Sequence, residues 1–274
     1  MSAFVLVNGE PSASVPALDR GFAFGDGVFR TLLVRRGRAL NWDRHFLRLA
    51  HDCQALALPI PREDVLLSEV ARVGPDDATV KVIVSRGVSG RGYATPADIA
   101  TTRVVAGFPP PDYPSELARD GVTVRRCALT LSEQPRLAGV KTLNRLENVL
   151  ARAEWLDPAI REGLLCDAAG RLVEGTMSNV FLVREGAIIT PALTRCGIAG
   201  AQRERLRDLA RAAGIAFTVR DVEYRELADA DEAFLANSLI GIWPIARNEA
   251  RTWTPGALTR RLQELLTDDD ARPA

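Results

Sequence analysis

Two charged side chains in this sequence have neighbours that favour chemistry over simple solvation. Lys141 lies in the run Gly-Val-Lys-Thr-Leu-Asn, among apolar and amide residues. A desolvated lysine can lose its proton near neutral pH and form a Schiff base with a carbonyl compound. Glu174 ends a predicted strand, just before Gly-Thr-Met-Ser-Asn. A carboxylate in that place would keep a pyridine nitrogen protonated, so that the ring could accept electrons.

A Schiff-base amine and a partner for a ring nitrogen are the two side chains that pyridoxal phosphate chemistry needs most. Each residue also has a plainer explanation, because most lysines and most strand-end glutamates are solvated surface groups. The other blocks of the sequence, and their order, therefore decide how these two residues are interpreted.

Length and charge exclude several classes of protein. The chain has 274 residues, 47% of them hydrophobic, which is enough for one large domain or two smaller ones. Its formal net charge is +0 with both signs interspersed, so neither a nucleic acid nor an anionic membrane is an expected partner. The first residues lack a basic and apolar leader, and no apolar run is long enough to span a bilayer. We therefore expect a cytoplasmic protein with a small-molecule substrate.

Cysteine and histidine offer little chemistry here. The four cysteines are far apart and lie among apolar or small residues, which predicts reduced, buried thiols. The two histidines, His45 and His51, share one predicted helix. A histidine-based metal site or a Ser-His-Asp triad is therefore hard to build, and we expect no metal.

The first hundred residues alternate between strand and helix patterns. Apolar residues three or four apart from Trp42 to Leu56 predict an amphipathic helix that ends before Pro59. A second helix is predicted at 62–73. The other apolar runs have either the alternating pattern of a strand or the continuous apolar pattern of a buried strand. The predicted strands are 4–10, 28–35, 79–86 and 102–107, and the predicted helices are 42–56 and 62–73.

A proline cluster follows, and we expect an interdomain linker at 109–116. It would separate an N-terminal domain, residues 1–108, from a larger C-terminal domain, residues 117–274, that carries Lys141. In the second domain we predict strands at 122–126, 178–183, 187–190 and 232–236, a hairpin at 163–173, and helices at 144–156, 199–213 and 255–266. This alternation predicts two α/β domains with a cleft between them.

The block Asp19–Phe29, Asp-Arg-Gly-Phe-Ala-Phe-Gly-Asp-Gly-Val-Phe, resembles the N-terminal signature of fold-type IV pyridoxal phosphate enzymes. Blocks around Lys141, Glu174 and Asn237-Ser238 follow in the order typical of that class and cover nearly the whole chain. The resemblance implies a two-domain α/β (α+β) fold of the D-amino acid aminotransferase type, with pyridoxal 5′-phosphate in the interdomain cleft. It also implies a homodimer in which loops of one subunit close the neighbour's site.

Within that class, residues 85–93 and 141–150 are most similar to the aminodeoxychorismate lyases. This similarity implies cleavage of 4-amino-4-deoxychorismate into 4-aminobenzoate and pyruvate, a step toward folate. One alternative is an aminotransferase for D-amino or branched-chain amino acids, which would cycle through a pyridoxamine form. A more remote alternative is a non-catalytic binding protein on the same fold.

The resemblance also implies roles for individual residues at the cofactor. Lys141 would hold the cofactor and move protons, and Glu174 would face the ring nitrogen. Arg145, expected one helical turn past Lys141, would approach the phenolate oxygen, unless it is an ordinary solvated arginine. The phosphate would be bound by Arg48, by the backbone at Ala201 and Gln202, and by the Ser238 hydroxyl, which could instead belong to an ordinary turn at a strand end.

Four residues are expected at the substrate. Arg91 and Tyr93 lie in a glycine-flanked loop and could clamp a carboxylate, although a solvated arginine in a mobile loop is the alternative. Phe29 and Arg30 follow Gly25-Asp-Gly27, which we interpret as close backbone packing at the cleft rather than a phosphate loop. Arg30 departs from the Glu or Thr that relatives often have, so substrate choice is less constrained by the resemblance.

Overall fold

The structure is a computed structural model and describes residues 4–95, 98 and 100–271. It divides into two compact units. Unit 1 comprises Met1–Pro111 and Val140–Asn144, and unit 2 comprises Asp112–Gly139 and Arg145–Ala274. The first boundary therefore falls within the proline cluster, between Pro111 and Asp112.

Unit 1 is built on a six-stranded antiparallel sheet with the strand order β2-β1-β6-β5-β3-β4. Its elements are β1 (Phe4–Val7), β2 (Glu10–Pro11), α1 (Arg20–Phe24), β3 (Gly27–Arg35), β4 (Arg38–Ala39), α2 (Trp42–Ala55), α3 (Glu63–Val73), β5 (Ala78–Ser85) and β6 (Thr102–Phe108). The strands and the two long helices expected from the hydrophobic pattern are thus confirmed, with small shifts at their ends.

The core of unit 1 lies between this sheet and helices α2 and α3. Because side chains alternate between the two faces of a strand, Leu32 and Val34 of β3 lie on one face. They pack with Leu49 of α2 and Leu66 of α3, and all four are almost completely buried. The amphipathic pattern of the two helices is what covers this face of the sheet.

Unit 2 is built on an eight-stranded mixed sheet with the order β12-β11-β10-β13-β14-β7-β8-β9. Its elements are α4 (Glu116–Arg119), β7 (Val122–Leu131), α5 (Leu146–Arg152), β8 (Ile160–Asp167), β9 (Leu172–Gly175), β10 (Asn179–Arg184), β11 (Ala187–Pro191), α6 (Ala201–Ala212), β12 (Phe217–Arg220), α7 (Glu226–Asp229), β13 (Glu232–Asn237), β14 (Gly241–Arg247) and α8 (Ala257–Ala271). The hairpin predicted at 163–173 forms as β8–β9. The strands predicted at 178–183 and 187–190 form β10 and β11, which pair as a second antiparallel hairpin. Strands β12 and β14 had not been predicted.

The centre of the second sheet is buried on both faces. Phe181 of β10 packs with Leu206 of α6 and Leu262 of α8, whereas its neighbour Leu182 packs on the opposite face. This arrangement explains why β10 reads as a continuous apolar run rather than an alternating one. Among the described residues, no helix is both long enough and apolar enough to cross a membrane.

The segment Val140–Asn144 differs most from its prediction. The sequence places Lys141 in the C-terminal domain, with Arg145 one helical turn past it, but α5 begins only at Leu146. The segment instead pairs with β3 of unit 1: Phe29 N donates to Lys141 O at 3.0 Å, and Leu143 N donates to Gly27 O at 2.9 Å. Because its backbone hydrogen bonds go to a strand, the segment is extended and groups with unit 1.

Gly107→Ala is expected to destabilise unit 1. A Cβ atom at Gly107 would lie 2.1 Å from the carbonyl oxygen of Val73, and this backbone atom at the end of α3 cannot move aside easily. We expect a loss of about 1–3 kcal/mol in unfolding free energy, seen as a lower unfolding temperature by circular dichroism. Gly90→Ala is the control, since its Cβ would meet nothing within 4 Å, and an equal loss in both variants would contradict this account.

Candidate active site

The Lys141 side chain lies against an aromatic ring in unit 1. Its Nζ is 4.5 Å from the ring centroid of Phe29, and its backbone N donates to Asp52 Oδ2 at 3.1 Å. The Lys141 side chain is therefore placed by two neighbours, a strand residue beneath it and a helix residue that fixes its backbone.

A second lysine contacts the same ring, and the sequence analysis missed it. The Nζ of Lys81 on β5 lies 4.8 Å from the Phe29 centroid, and burial lowers the pKa of its ammonium group. The complete sequence contains two lysines, and both amines lie at this ring. The available signal was a single cation within the apolar strand Thr-Val-Lys-Val-Ile-Val.

Arg48 and Arg30 meet at the same carboxylate. Arg48 Nη2 lies 3.5 Å from Oδ1 of Asp52, one helical turn along α2, and Arg30 Nη2 donates to Oδ2. Burial lowers the pKa of Arg30 to about 10, so its guanidinium is still charged at neutral pH. Burial, with the charges of Arg30 and Lys141, lowers the pKa of His45 to about 3, which leaves that imidazole neutral.

The structure gives Arg30 an environment different from the one expected. Successive side chains of a strand point to opposite faces, so Phe29 and Arg30 cannot both face one ligand. Phe29 contacts Lys141, whereas Arg30 shares the buried face of β3 with Leu32 and is only 3% exposed. We therefore do not retain Arg30 as a substrate-contacting residue.

The loop that carries Arg91 and Tyr93 is largely exposed, and Arg20 holds it by hydrogen bonds. Arg20 donates from Nη1 to Gly92 O at 3.0 Å and to Ser89 Oγ at 3.1 Å, and from Nη2 to Tyr93 O at 3.2 Å. Arg20 belongs to the signature block yet received no role from the sequence. The available indication in the sequence was an arginine directly after Asp19, the residue that caps α1.

Asp26 holds two buried arginines. Its Oδ2 accepts hydrogen bonds from Arg20 Nε at 2.8 Å and from Arg86 Nε at 2.7 Å, and Arg86 also donates to Leu56 O at the end of α2. Burial alone would raise the pKa of the Asp26 carboxyl group, but the hydrogen bonds from Arg86 and Arg20 outweigh burial and lower it. The Gly25-Asp26-Gly27 turn thus contributes an ion-pair centre as well as close backbone packing.

In unit 2, Glu174 lies on β9 and is buried. Its Oε2 accepts a hydrogen bond from Ile198 N at 2.7 Å. The turn before α6 reaches it because Gly197 has a positive φ of 82° and no side chain, since a Cβ there would lie 2.6 Å from Val173 Cγ1.

Helix α6 follows this turn with Gly200 as its N-cap residue. Ala201 and Gln202 form its buried first turn. First-turn amides have no acceptor within their own helix, and the helix dipole favours negative charge at this end. Neither Ala201 nor Gln202 has a cationic side chain, so an anion at this helix end would be bound by the backbone N–H groups.

Ser238 begins the turn between β13 and β14. This turn is fixed by Asn237, whose Oδ1 accepts from Leu239 N at 2.8 Å and from Ile240 N at 2.9 Å. Asn237 Nδ2 also donates to Met177 O at 2.9 Å, which joins the Ser238 turn to the loop after Glu174.

A buried glutamate that the sequence analysis missed organises that loop. Glu162 of β8 accepts hydrogen bonds from the hydroxyl of Thr176, from Ser178 Oγ at 2.7 Å and from Met177 N at 3.2 Å. Burial raises its pKa in spite of these donors. A charged residue in the otherwise apolar run Glu-Gly-Leu-Leu-Cys was the available signal.

Arg145 does not have the helical relation to Lys141 that the sequence predicts. It is the N-cap residue of α5, in unit 2, and its Nη1 lies 3.3 Å from Asn148 Oδ1. Residues 141–145 are not helical, so the spacing of one helical turn does not apply. The structure thus groups Lys141, Phe29 and Arg48 in unit 1, and Glu174, the α6 turn and the Ser238 turn in unit 2.

Comparison with known proteins gives a consistent picture. The family model for amino-transferase class IV matches residues 27–247. An aminodeoxychorismate lyase of Vibrio harveyi is 33% identical over 94% of this chain and 97% of its own. The crystal structure of 4-amino-4-deoxychorismate lyase from Pseudomonas aeruginosa is 45% identical, with a TM-score of 0.93, and the alignment covers 97% of this chain and 98% of that one. A D-alanine aminotransferase of Bacillus licheniformis is 26% identical over 96% of this chain and 95% of its own.

Asp26→Asn is expected to lower stability by about 2 kcal/mol at neutral pH, because two guanidinium groups lose their charged acceptor. The folded-state pKa of Asp26 is depressed, so its stabilisation is complete above the ordinary value of 3.8 and is lost as the pH falls through the lower folded value. The difference in urea midpoint between wild type and variant should therefore stay constant from pH 7 down to the ordinary value of 3.8 and shrink at lower pH. A difference that does not shrink there would contradict the assignment.

Proposed function

Because the chain belongs to the class IV aminotransferase family, we propose that it is a pyridoxal 5′-phosphate-dependent lyase that converts 4-amino-4-deoxychorismate into 4-aminobenzoate and pyruvate. The observation that carries this choice is the 45% identity to the Pseudomonas aeruginosa lyase along almost the full length of both chains. Aminotransferase relatives are less similar than the Vibrio harveyi lyase at 33%: a probable branched-chain-amino-acid aminotransferase of Thermotoga maritima is 30% identical and the D-alanine aminotransferase of Bacillus licheniformis 26%.

The residues present fit the family's cofactor, pyridoxal 5′-phosphate. Its aldehyde needs an amine, which Lys141 offers beside Phe29, and its ring nitrogen needs a buried carboxylate, which Glu174 offers. Its phosphate needs cations and amide donors. In our assignment, the cofactor is held by Arg48, Lys141, Arg145, Glu174, Ala201, Gln202 and Ser238.

When bound, the cofactor supplies an electron sink that weakens the bonds at the carbon carrying the substrate amine. Glu174 would hold the proton on the ring nitrogen. The Lys141 amine would take the proton from C4 of the substrate, and the enolpyruvyl C3–O bond would break in response. Loss of enolpyruvate leaves an aromatic ring, so the atoms balance without any oxidant or keto acid.

The substrate carries two carboxylates, and the loop of Arg91 and Tyr93 supports their recognition. Arg20 holds that loop through Ser89 Oγ and the backbone oxygens of Gly92 and Tyr93, and the side chains of Arg91 and Tyr93 are left largely exposed. A guanidinium can pair with a carboxylate through two parallel hydrogen bonds. Phe29 would keep water from the Lys141 amine and offer the substrate an apolar wall.

Purified protein loaded with the cofactor should release pyruvate from aminodeoxychorismate at the same rate with and without 2-oxoglutarate. Lactate dehydrogenase coupling measures the pyruvate, and chromatography measures 4-aminobenzoate in equal amount. If turnover instead required a keto acid and gave a pyridoxamine form with D-alanine or leucine, the chain would be an aminotransferase and the lyase proposal would be rejected.

Borohydride reduction should fix the cofactor on Lys141 alone. Since the sequence has two lysines, peptide mass spectrometry distinguishes Lys141 from Lys81 directly. Lys141→Ala should lose the visible absorbance of the adduct and fall to background activity, whereas Lys81→Ala should still form the adduct. An adduct on Lys81 in the wild type would show that the reacting amine was assigned wrongly.

We also propose a homodimer in the cytoplasm. Apolar side chains are exposed in both units, at Leu18 and Phe22 in unit 1 and at Leu146 and Val149 in unit 2. Exposed apolar surface of this kind supports burial against a second copy. Light scattering coupled to gel filtration should give twice the chain mass, and a monomer at micromolar concentration would contradict the dimer.

A further inference from the structure

The carboxyl group of Asp52 joins the lysine-bearing segment to helix α2. Asp52 is fully buried near the end of the helix. Its Oδ2 accepts from the backbone N of Lys141 at 3.1 Å, and its Oδ1 lies 3.5 Å from Arg48 Nη2. One carboxylate therefore contacts both the residue assigned to the cofactor aldehyde and the residue assigned to the cofactor phosphate.

Arg30 provides the charge that lets Asp52 stay buried. Its Nη2 donates both to Asp52 Oδ2 and to the backbone oxygen of Arg48, the latter at 3.3 Å. The neutral His45 adds no charge, and the exposed His51 lies 3.3 Å from Oδ1. Arg30 and the Lys141 backbone N thus share Oδ2, while Arg48 contacts Oδ1.

Stability alone is a weak reason for this arrangement. A buried ion pair contributes little beyond what well-packed apolar side chains of similar volume would give. Unit 1 contains a second such pair, Glu69 with Arg103, joined by three hydrogen bonds, and no hydrogen bond of that pair goes to Lys141 or Arg48. The two pairs therefore differ in what they touch, and the Arg103 side chain is also more exposed than that of Arg30, 21% against 3%.

We propose that Asp52, held by Arg30, is a positioning residue for cofactor binding, because it fixes the Lys141 backbone and the Arg48 guanidinium relative to each other. The inference rests on the proposed function only through the cofactor roles of Lys141 and Arg48. It makes no use of the substrate.

The decisive variant is Arg30→Met/Asp52→Leu in the full-length chain. It removes both charges together, so the protein should fold with an unfolding temperature close to that of wild type. Apoprotein titrated with pyridoxal 5′-phosphate should bind about tenfold more weakly or worse, and the visible circular dichroism of the bound cofactor should fall because Lys141 is less firmly oriented. Wild-type affinity and an unchanged dichroic signal would overturn the proposal.

Glu69→Leu/Arg103→Met is the control, since it replaces a carboxylate–arginine pair of the same unit, in which Glu69 is buried and Arg103 is partly exposed, and it should leave cofactor affinity and dichroism unchanged. Equal weakening in this control would mean that any loss of a buried pair loosens the site, and the proposal would be rejected. If the first variant does not fold, Arg30→Met/Asp52→Asn keeps the shape and one acceptor oxygen. A smaller loss of affinity is then expected, and no loss would reject the proposal.

Both readouts need only the cofactor, so the two hypotheses fail separately. Wild-type protein that binds cofactor but releases no pyruvate would reject the lyase assignment and leave the role of Asp52 in place. Normal pyruvate release by the wild type, together with unchanged cofactor affinity in the Asp52 variant, would reject the role of Asp52 and leave the lyase assignment in place.

Discussion

Backbone pairing between Val140–Asn144 and β3 is the constraint on which the arrangement of unit 1 depends. Two hydrogen bonds, from Phe29 to Lys141 and from Leu143 to Gly27, fix a segment whose chain neighbours on both sides belong to unit 2. A Cβ atom at Gly27 would lie 2.5 Å from Val84 O of the neighbouring strand β5 and 2.8 Å from Leu143 Cδ1 of the segment, so the absence of a side chain lets β3 pack closely against both. The backbone of Lys141 is thus held by a sheet.

Buried carboxylates, rather than regular secondary structure, hold the connecting segments in place. Asp26 binds the arginines beneath the exposed loop, Asp52 binds the lysine segment, and Glu162 binds the turn that follows Glu174. A carboxylate can accept several hydrogen bonds at once, so a single residue can order a stretch of backbone that makes no ladder of its own. Such anchors leave the surrounding loops short and well defined.

The sequence was informative wherever one local pattern determined the outcome. Helix α2 and strand β10 follow from apolar spacing, and Lys141 and Glu174 were visible as charges among apolar neighbours. Strand β14 was missed because Pro244 interrupts its pattern. The roles of Arg20, Arg30 and Lys81 depend on which strand face or loop lies opposite, which is set by tertiary packing and has no local signal. The same holds for Lys141, where pairing with β3 overrides a helical pattern.

The scarcity of lysine has a practical consequence. Basic charge is carried almost entirely by arginine, and both side-chain amines lie at one aromatic ring. Reagents that acylate or reductively alkylate amines will therefore report on this ring and the N-terminus, with no background from other lysines. The same property limits amine-based immobilisation of the folded enzyme, since coupling through a side chain can take place only beside the Phe29 ring.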